Sequence, residues 1–234
     1  MRNALVTGAS KGIGKAIAEE LCLNGFEVHI CARNEEDLQI AKQEILERVE
    51  NAKLFTYKVD LSNITERKDF AQQLLQKLPK LDVLINNAGT FVIGSTIDEP
   101  DGTLEHLMNT NLYSAYYITK YLIPLIKKSD SAHIINMCSI ASKVAYPNGG
   151  SYSISKFALY GFTKVLREEL KDKNIKVTAI LPGATWSDSW KGVDLPQERL
   201  MSANDIAKVI INCISLSKSA VIEEIILRPQ LGDL

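Results

Sequence analysis

The amino-acid sequence predicts an α/β fold: seven parallel strands in one sheet, flanked by helices on both faces. Three observations predict it. Short apolar runs alternate with longer amphipathic stretches from end to end, which is the pattern of strands joined by helical crossovers. The apolar runs are continuous and lack strict alternation, as expected of strands buried on both faces. No repeat, low-complexity tract or Pro/Gly-rich linker divides the 234 residues, so residues 1–234 are read as one domain.

The elements follow in order. Ala4-Leu5-Val6-Thr7 reads as the first strand, and Ile13 to Leu23 as a helix with Ile13, Ile17 and Leu21 on one face. Glu27 to Ala32 is a second strand and Glu35 to Val49 a charged amphipathic helix. Leu54 to Tyr57 is the third strand, followed by a helix from about Thr65 to Leu78. Val83-Leu84-Ile85 is the fourth, and a long helix is expected from about Asp101 to Lys127. Ile134 to Met137 is the fifth strand, and a helix from about Ser151 to Lys173 leads to the sixth, Val177 to Leu181. The helix Ala203 to Leu216 leads to the last strand, Ile225-Ile226-Leu227. This is a doubly wound, Rossmann-like order, in which ligands bind at the carboxyl ends of the strands. Gly8, Arg33, Asp60, Asn86, Ser139 and Pro182 stand there.

Composition narrows the function. Hydrophobic residues make up 46% and charged residues 24%, ordinary values for a globular domain. The net charge of −1 gives no general electrostatic case for binding nucleic acid or an anionic membrane. The apolar runs are too short to span a bilayer, and no targeting segment is read before the first strand. Cys22, Cys31, Cys138 and Cys213 are widely spaced inside apolar segments, which suggests buried thiols in a reducing cytoplasm. His29, His106 and His133 are scattered too, and no metal-ligand cluster is expected.

Two segments carry a nucleotide signal. Thr7-Gly8-Ala9-Ser10-Lys11-Gly12-Ile13-Gly14 follows the first strand and opens the first helix. Its glycines would serve a tight turn and a close backbone approach to a pyrophosphate at a helix N-terminus. The second strand ends Cys31-Ala32-Arg33-Asn34. An NAD binder usually has a carboxylate near this point; here Arg33 stands in that region, and a guanidinium suits a 2′-phosphate. Lys11 could reach the same group, so NADP(H) is the expected cofactor.

A third segment carries chemistry. Tyr152 and Lys156 are four positions apart and share a helix face. A free phenol has a pKa near ~10, so only about 0.1% is ionised at pH 7. A nearby ammonium favours the phenolate, and such a pair suits proton exchange with an alcohol or carbonyl. Ser139, on another element, could hold the same substrate oxygen.

Together these residues resemble the short-chain dehydrogenase/reductase family, over nearly the whole chain and in its short single-domain form. The glycine loop matches the family's T-G-x-x-x-G-x-G, Asp60-Leu61 its acidic residue after the third strand, and Asn86-Asn87-Ala88-Gly89 its N-N-A-G. Asn111 aligns with the helix asparagine of the catalytic tetrad, and Ser139, Tyr152 and Lys156 supply the other members. Pro182-Gly183 matches the P-G after the sixth strand. The chain departs in three places: Met137-Cys138-Ser139 where relatives often have two adjacent serines, Ala184-Thr185-Trp186-Ser187 where many carry threonine at the last position, and an ending without Asp-Gly-Gly.

The resemblance implies an NADP(H)-dependent oxidoreductase acting on a ketone, aldehyde or secondary alcohol. The implied cofactor contacts are Gly8, Ser10, Lys11, Gly12, Ile13, Gly14, Arg33, Asp60, Leu61, Asn87, Ala88, Gly89, Tyr152, Lys156, Pro182, Gly183 and Thr185. Ser139 would hydrogen-bond the carbonyl oxygen, and Tyr152 would donate the proton. Lys156 would depress the tyrosine pKa and bind the nicotinamide ribose, and Asn111 would hold a water that returns protons to Lys156. A short lid around 184–199, carrying Trp186 and Trp190, is expected to cap the site. With Phe91, Val92, Ile140 and Tyr146 as apolar walls, the substrate would be a compact or partly aromatic carbonyl compound. Two other readings are weighed against this one: a catalytically silent NADP(H)-binding regulatory protein, which the intact tetrad opposes, and a sugar-nucleotide epimerase or dehydratase. The latter usually adds a substantial C-terminal substrate domain, whereas about 50 residues follow Pro182 here. A homo-oligomer is expected, dimer or tetramer, with a dimer on the two long helices preferred to a monomer.

Overall fold

The computed structural model describes residues 1–186 and 196–232. Its seven strands form one sheet in the order β3-β2-β1-β4-β5-β6-β7, and every neighbouring pair is parallel. They are β1 (Asn3–Thr7), β2 (Glu27–Ala32), β3 (Lys53–Lys58), β4 (Val83–Asn86), β5 (His133–Met137), β6 (Lys176–Pro182) and β7 (Glu224–Leu227). The helices are α1 (Gly12–Leu23), α2 (Glu35–Arg48), α3 (Ile64–Lys77), α4 (Thr103–Leu107), α5 (Ser114–Ile126), α6 (Gly150–Leu170) and α7 (Ala203–Ser215). The strand order reverses between β1 and β4, which opens a crevice at the carboxyl edge there.

Adjacent residues on one strand serve opposite faces, which explains the continuous apolar runs. Val6, Ile30, Ile85 and Ile135 pack into the core under α1, α2 and α7. Leu5, Leu84, Ile134 and Val177 pack into the core under α3, α5 and α6. Each such side chain, fully buried, contributes roughly 1.5–3 kcal/mol, so both helical layers are held by the same short strands. All four cysteines are free and buried.

Two helices differ from their predicted extents. The helix expected over Asp101 to Lys127 starts at Thr103, because Pro100-Asp101-Gly102 forms a turn with Gly102 at φ +89. It then widens into a π-helical turn over Met108–Tyr113 before continuing as α5. The helix expected to reach Lys173 ends at Leu170 and tightens into a 3₁₀ turn, Lys171–Lys173, closed by Asn174 in the left-handed region. No helix among the described residues is long and apolar enough to cross a membrane.

Candidate active site

The site is built on the loops at the carboxyl edge of β1, β4 and β5. The first of these is the glycine loop. Gly8 has φ +64, and a methyl group there would come within 2.7 Å of the Ala88 Cα, so the backbone of this loop lies directly against the loop after β4. Side chains lock the two together. Thr7 Oγ1 accepts hydrogen bonds from the Asn87 and Ala88 amides, both at 3.0 Å, and Asn87 Nδ2 donates to the Thr7 and Gly8 carbonyls at 2.9 and 2.8 Å.

The helix that follows is open at its start. Asn34, Asn63 and Ser202 cap α2, α3 and α7 with side-chain acceptors. At α1 the N-cap is Lys11, with no side-chain cap and no acidic residue in the first turn. Its backbone N–H groups are left for an anion, and the positive end of the helix faces the same way. A glycine-rich loop under a helix without a side-chain cap fits a pyrophosphate.

Arg33 and Lys11 lie at the neighbouring β2–α2 turn in different states. Arg33 is exposed and makes no ion pair or hydrogen bond among the described residues. Lys11 is paired with Asp37 at 2.9 Å, in the first turn of α2. Asp37 was not singled out from the sequence; three acidic residues opening α2 were its signal. Asp60 is oriented by Ser62, whose N–H and hydroxyl donate to its Oδ1 at 2.9 and 2.6 Å. Leu61 is buried, and the Arg67 guanidinium donates to its carbonyl at 3.1 Å.

The second group lies after β4 and β5 and on α6. Asn86, at the end of β4, donates to Asn136 Oδ1 at 2.8 Å and to Thr119 Oγ1 at 3.0 Å, and Asn136 donates on to Thr163 at 2.8 Å. This buried polar chain ties the sheet centre to α5 and α6. Asn111, fully buried in the π-helical turn, accepts from the Thr90 amide at 2.8 Å and donates to the Thr90 carbonyl and to Ser155 Oγ. Both ends of its amide are thereby used, and Gly89 runs directly past it and Lys156. Ser155, one residue before Lys156 in the motif, also went unnoticed in the sequence.

Ser139 follows β5 and opens a 3₁₀ turn, Ile140–Ser142. Its hydroxyl oxygen accepts from the Ala141 amide at 3.1 Å. Burial raises the Tyr152 phenol above its ordinary pKa, while a hydrogen bond with Ser139 pulls it down. The Lys156 ammonium sits 5.8 Å from the Tyr152 ring centroid and donates to the Met137 carbonyl at 2.8 Å. Burial lowers the lysine pKa. In this geometry the ammonium bonds the end of β5, and burial is the largest influence on the phenol.

Phe91 meets the Tyr152 ring edge-on, with centroids 4.7 Å apart. Val92 and Tyr146 are part-exposed nearby in sequence, and Ile140 is half-buried. After β6, Gly183 donates to the Leu227 carbonyl at 2.7 Å, and Thr185 Oγ1 donates to the Gly183 carbonyl at 3.0 Å. The Trp186 amide donates to the Met201 carbonyl at 2.9 Å and the Met201 amide to the Ala184 carbonyl at 3.0 Å, which fixes the base of the expected lid. Ser187 and Trp190 lie outside the described residues. Among the described residues no group of His, Cys, Asp or Glu could hold a metal ion.

Comparison with known proteins gives three kinds of likeness. The family model for short chain dehydrogenases matches residues 2–197. A sepiapterin reductase of Chlorobaculum tepidum is 30% identical, over 98% of this chain and 97% of that protein. A diacetyl reductase, (S)-acetoin forming, of Staphylococcus epidermidis is 32% identical over 89% of this chain and 79% of its own length. The crystal structure of a metagenomic short-chain oxidoreductase in complex with NADP superposes with a TM-score of 0.85 at 29% identity, covering 99% of this chain and 98% of that one.

Proposed function

This chain belongs to the short-chain dehydrogenase family, and on that premise we propose that it is an NADP(H)-dependent reductase of a compact or partly aromatic ketone or aldehyde. The observation that carries the reading is the convergence of Ser139, Tyr152 and Lys156 beside a glycine loop whose helix is left uncapped. NADPH, when bound, supplies the hydride for the carbonyl carbon. The chain supplies the rest. The loop from Gly8 to Gly14 and the N-terminus of α1 receive the pyrophosphate. Arg33 receives the 2′-phosphate, with Lys11 beside it, and Asp60 and Leu61 border the adenine. Asn87 to Gly89 and Pro182, Gly183 and Thr185 line the path to the nicotinamide.

Ser139 donates a hydrogen bond to the substrate's carbonyl oxygen, and Tyr152 gives its phenolic proton to the same oxygen. Lys156 holds the ribose and passes a proton toward Tyr152, and Asn111 holds a water that returns protons to Lys156. Phe91 shields the Tyr152 ring from water on one side. The test is NADPH consumption by purified protein with a panel of small carbonyls, beginning with diacetyl and sepiapterin, the compounds in the relatives' names. Turnover of at least one, with a product alcohol identified by mass, is expected. NADPH binding without turnover of any carbonyl would favour the silent regulatory reading instead.

A further inference from the structure

The helix that carries Tyr152 has no cap of its own. Its N-cap is Gly149, which has no side chain to accept from the first-turn amides, and no acidic residue follows in that turn. The missing acceptor comes from far upstream. The Glu99 carboxylate accepts from the Ser151 amide, at 3.0 Å through one oxygen and 3.3 Å through the other, and also from the Ser151 hydroxyl. Ser151 is almost fully buried, and Tyr152 is the next residue.

Glu99 reaches this position because the backbone makes room for it. A methyl group on Gly94 would meet the Glu99 Cγ at 2.6 Å, and one on Gly150, at φ +33, would run into the Glu99 carboxylate. The turn before it is closed by the Asp98 and Glu99 amides, both donating to the Ser95 carbonyl at 2.9 Å. A further bond, Gly94 amide to Asn148 carbonyl at 3.1 Å, holds the same loop to the chain entering α6. That loop begins with Phe91, the residue that meets the Tyr152 ring edge-on.

We propose that Glu99 is a positioning residue for the reaction: its carboxylate fixes the first turn of α6, and so sets Tyr152 against the substrate wall that begins at Phe91. The proposal rests on the reading of Tyr152 as the proton donor. A helix N-terminus gains from a carboxylate wherever one arrives. Here the carboxylate also joins the two segments that must face the same substrate. Displacing a reacting group by about 1 Å can cost ~10²-fold in rate, so a loosened first turn should appear in kcat. Most cofactor contacts lie on other loops, and Lys156 keeps its own anchor on the Met137 carbonyl, so NADPH affinity should change little.

The experiment compares wild type, Glu99→Ala and Ser151→Ala in NADPH turnover and in deuterium exchange of residues 150–156. Glu99→Ala should lower kcat about tenfold or more, leave the KM for NADPH within about twofold, and speed exchange in the first turn. Ser151→Ala keeps the amide donor and should lose only about two- to threefold in kcat. A Glu99→Ala kcat within twofold of wild type overturns the proposal, as does a loss matched by equal weakening of NADPH binding. Should Glu99→Ala fail to fold, Glu99→Gln, which keeps one acceptor oxygen, must still lose severalfold in kcat; a wild-type rate overturns the proposal. If wild type turns over no carbonyl, the functional reading has failed, and exchange alone decides the clamp: unchanged exchange in Glu99→Ala overturns it.

Discussion

Lys156 donates to the Met137 carbonyl at 2.8 Å, and this bond, across 19 positions of sequence, ties α6 to the end of β5. It brings the two segments that carry Tyr152 and Ser139 to one place. It uses one of the three donors of the ammonium. The pair is held in position by a backbone acceptor, and the phenol's ionisation is governed first by burial.

Tyr152→Phe should remove most turnover while NADPH binding stays within about twofold. The substitution keeps the ring that packs against Phe91 and removes only the proton donor. General acid catalysis typically contributes ~10²–10⁴-fold. A purified variant retaining more than about a tenth of the wild-type rate would remove Tyr152 from the mechanism.

Much of this site was legible because its residues announce themselves by spacing. Gly8, Asn87 and Pro182 sit at strand ends that apolar runs define, and Tyr152 and Lys156 share a helix face. What the sequence concealed is long-range pairing. Nothing near Gly149 says that Glu99, 52 positions before Ser151, will cap α6. Nothing near Lys11 says that Asp37 will neutralise it. The π-helical turn around Asn111 was hidden for the same reason, since its apolar pattern reads like any helix and the Thr90 bonds that reward the wider turn come from another loop.

Arg33→Asp should shift the kcat/KM preference from NADPH toward NADH. The introduced carboxylate repels a 2′-phosphate and accepts from a ribose hydroxyl, so attraction is lost and repulsion added. Lys11→Ala should move the ratio the same way but less. Part of that lysine's charge is already answered by Asp37. Measured ratios for both cofactors decide it: an Arg33→Asp ratio equal to wild type would make Arg33 a surface charge without a role in cofactor choice.

Stability should fall as pH drops from about 6.5, and His133 should be one reason. The Thr178 hydroxyl donates to the Ile222 carbonyl, so it must accept from His133 Nε2, 2.7 Å away, which leaves Nδ1 without a proton and without a partner. Burial, helped by Lys176 and Arg2, lowers the His133 pKa to about 3. Burial likewise lowers His29 to about 4. A folded-state pKa below the unfolded value means that the unfolded chain binds the proton first. The stabilising contribution is complete above about pH 6.5 and is lost progressively toward pH 3, at up to ~1.4 kcal/mol per pH unit for each group. Urea unfolding of wild type and His133→Gln at pH 7, 6, 5 and 4 checks this. The variant's stability should fall less steeply, and equal slopes would contradict the assignment.

The protein should be a homodimer built on α5 and α6. Tyr116 and Phe162 pack with ring centroids 5.2 Å apart and join the two helices into one face. On these helices Tyr116, Phe157 and Val165 remain 39%, 44% and 54% exposed. Leu125, Leu159 and Leu166 on the same helices are buried in the subunit's own core, which narrows the candidate interface. Large apolar side chains collected on one face usually mark an interface, and twofold pairing is the commonest way to cover it. Light scattering at micromolar concentration should give about twice the 26.0 kDa of one chain. Phe157→Glu should shift the mass toward that of the monomer, because a charge placed on both sides of a twofold contact meets its own copy. A wild-type mass near 26.0 kDa would refute the dimer, and an unchanged dimer in Phe157→Glu would move the contact off this face.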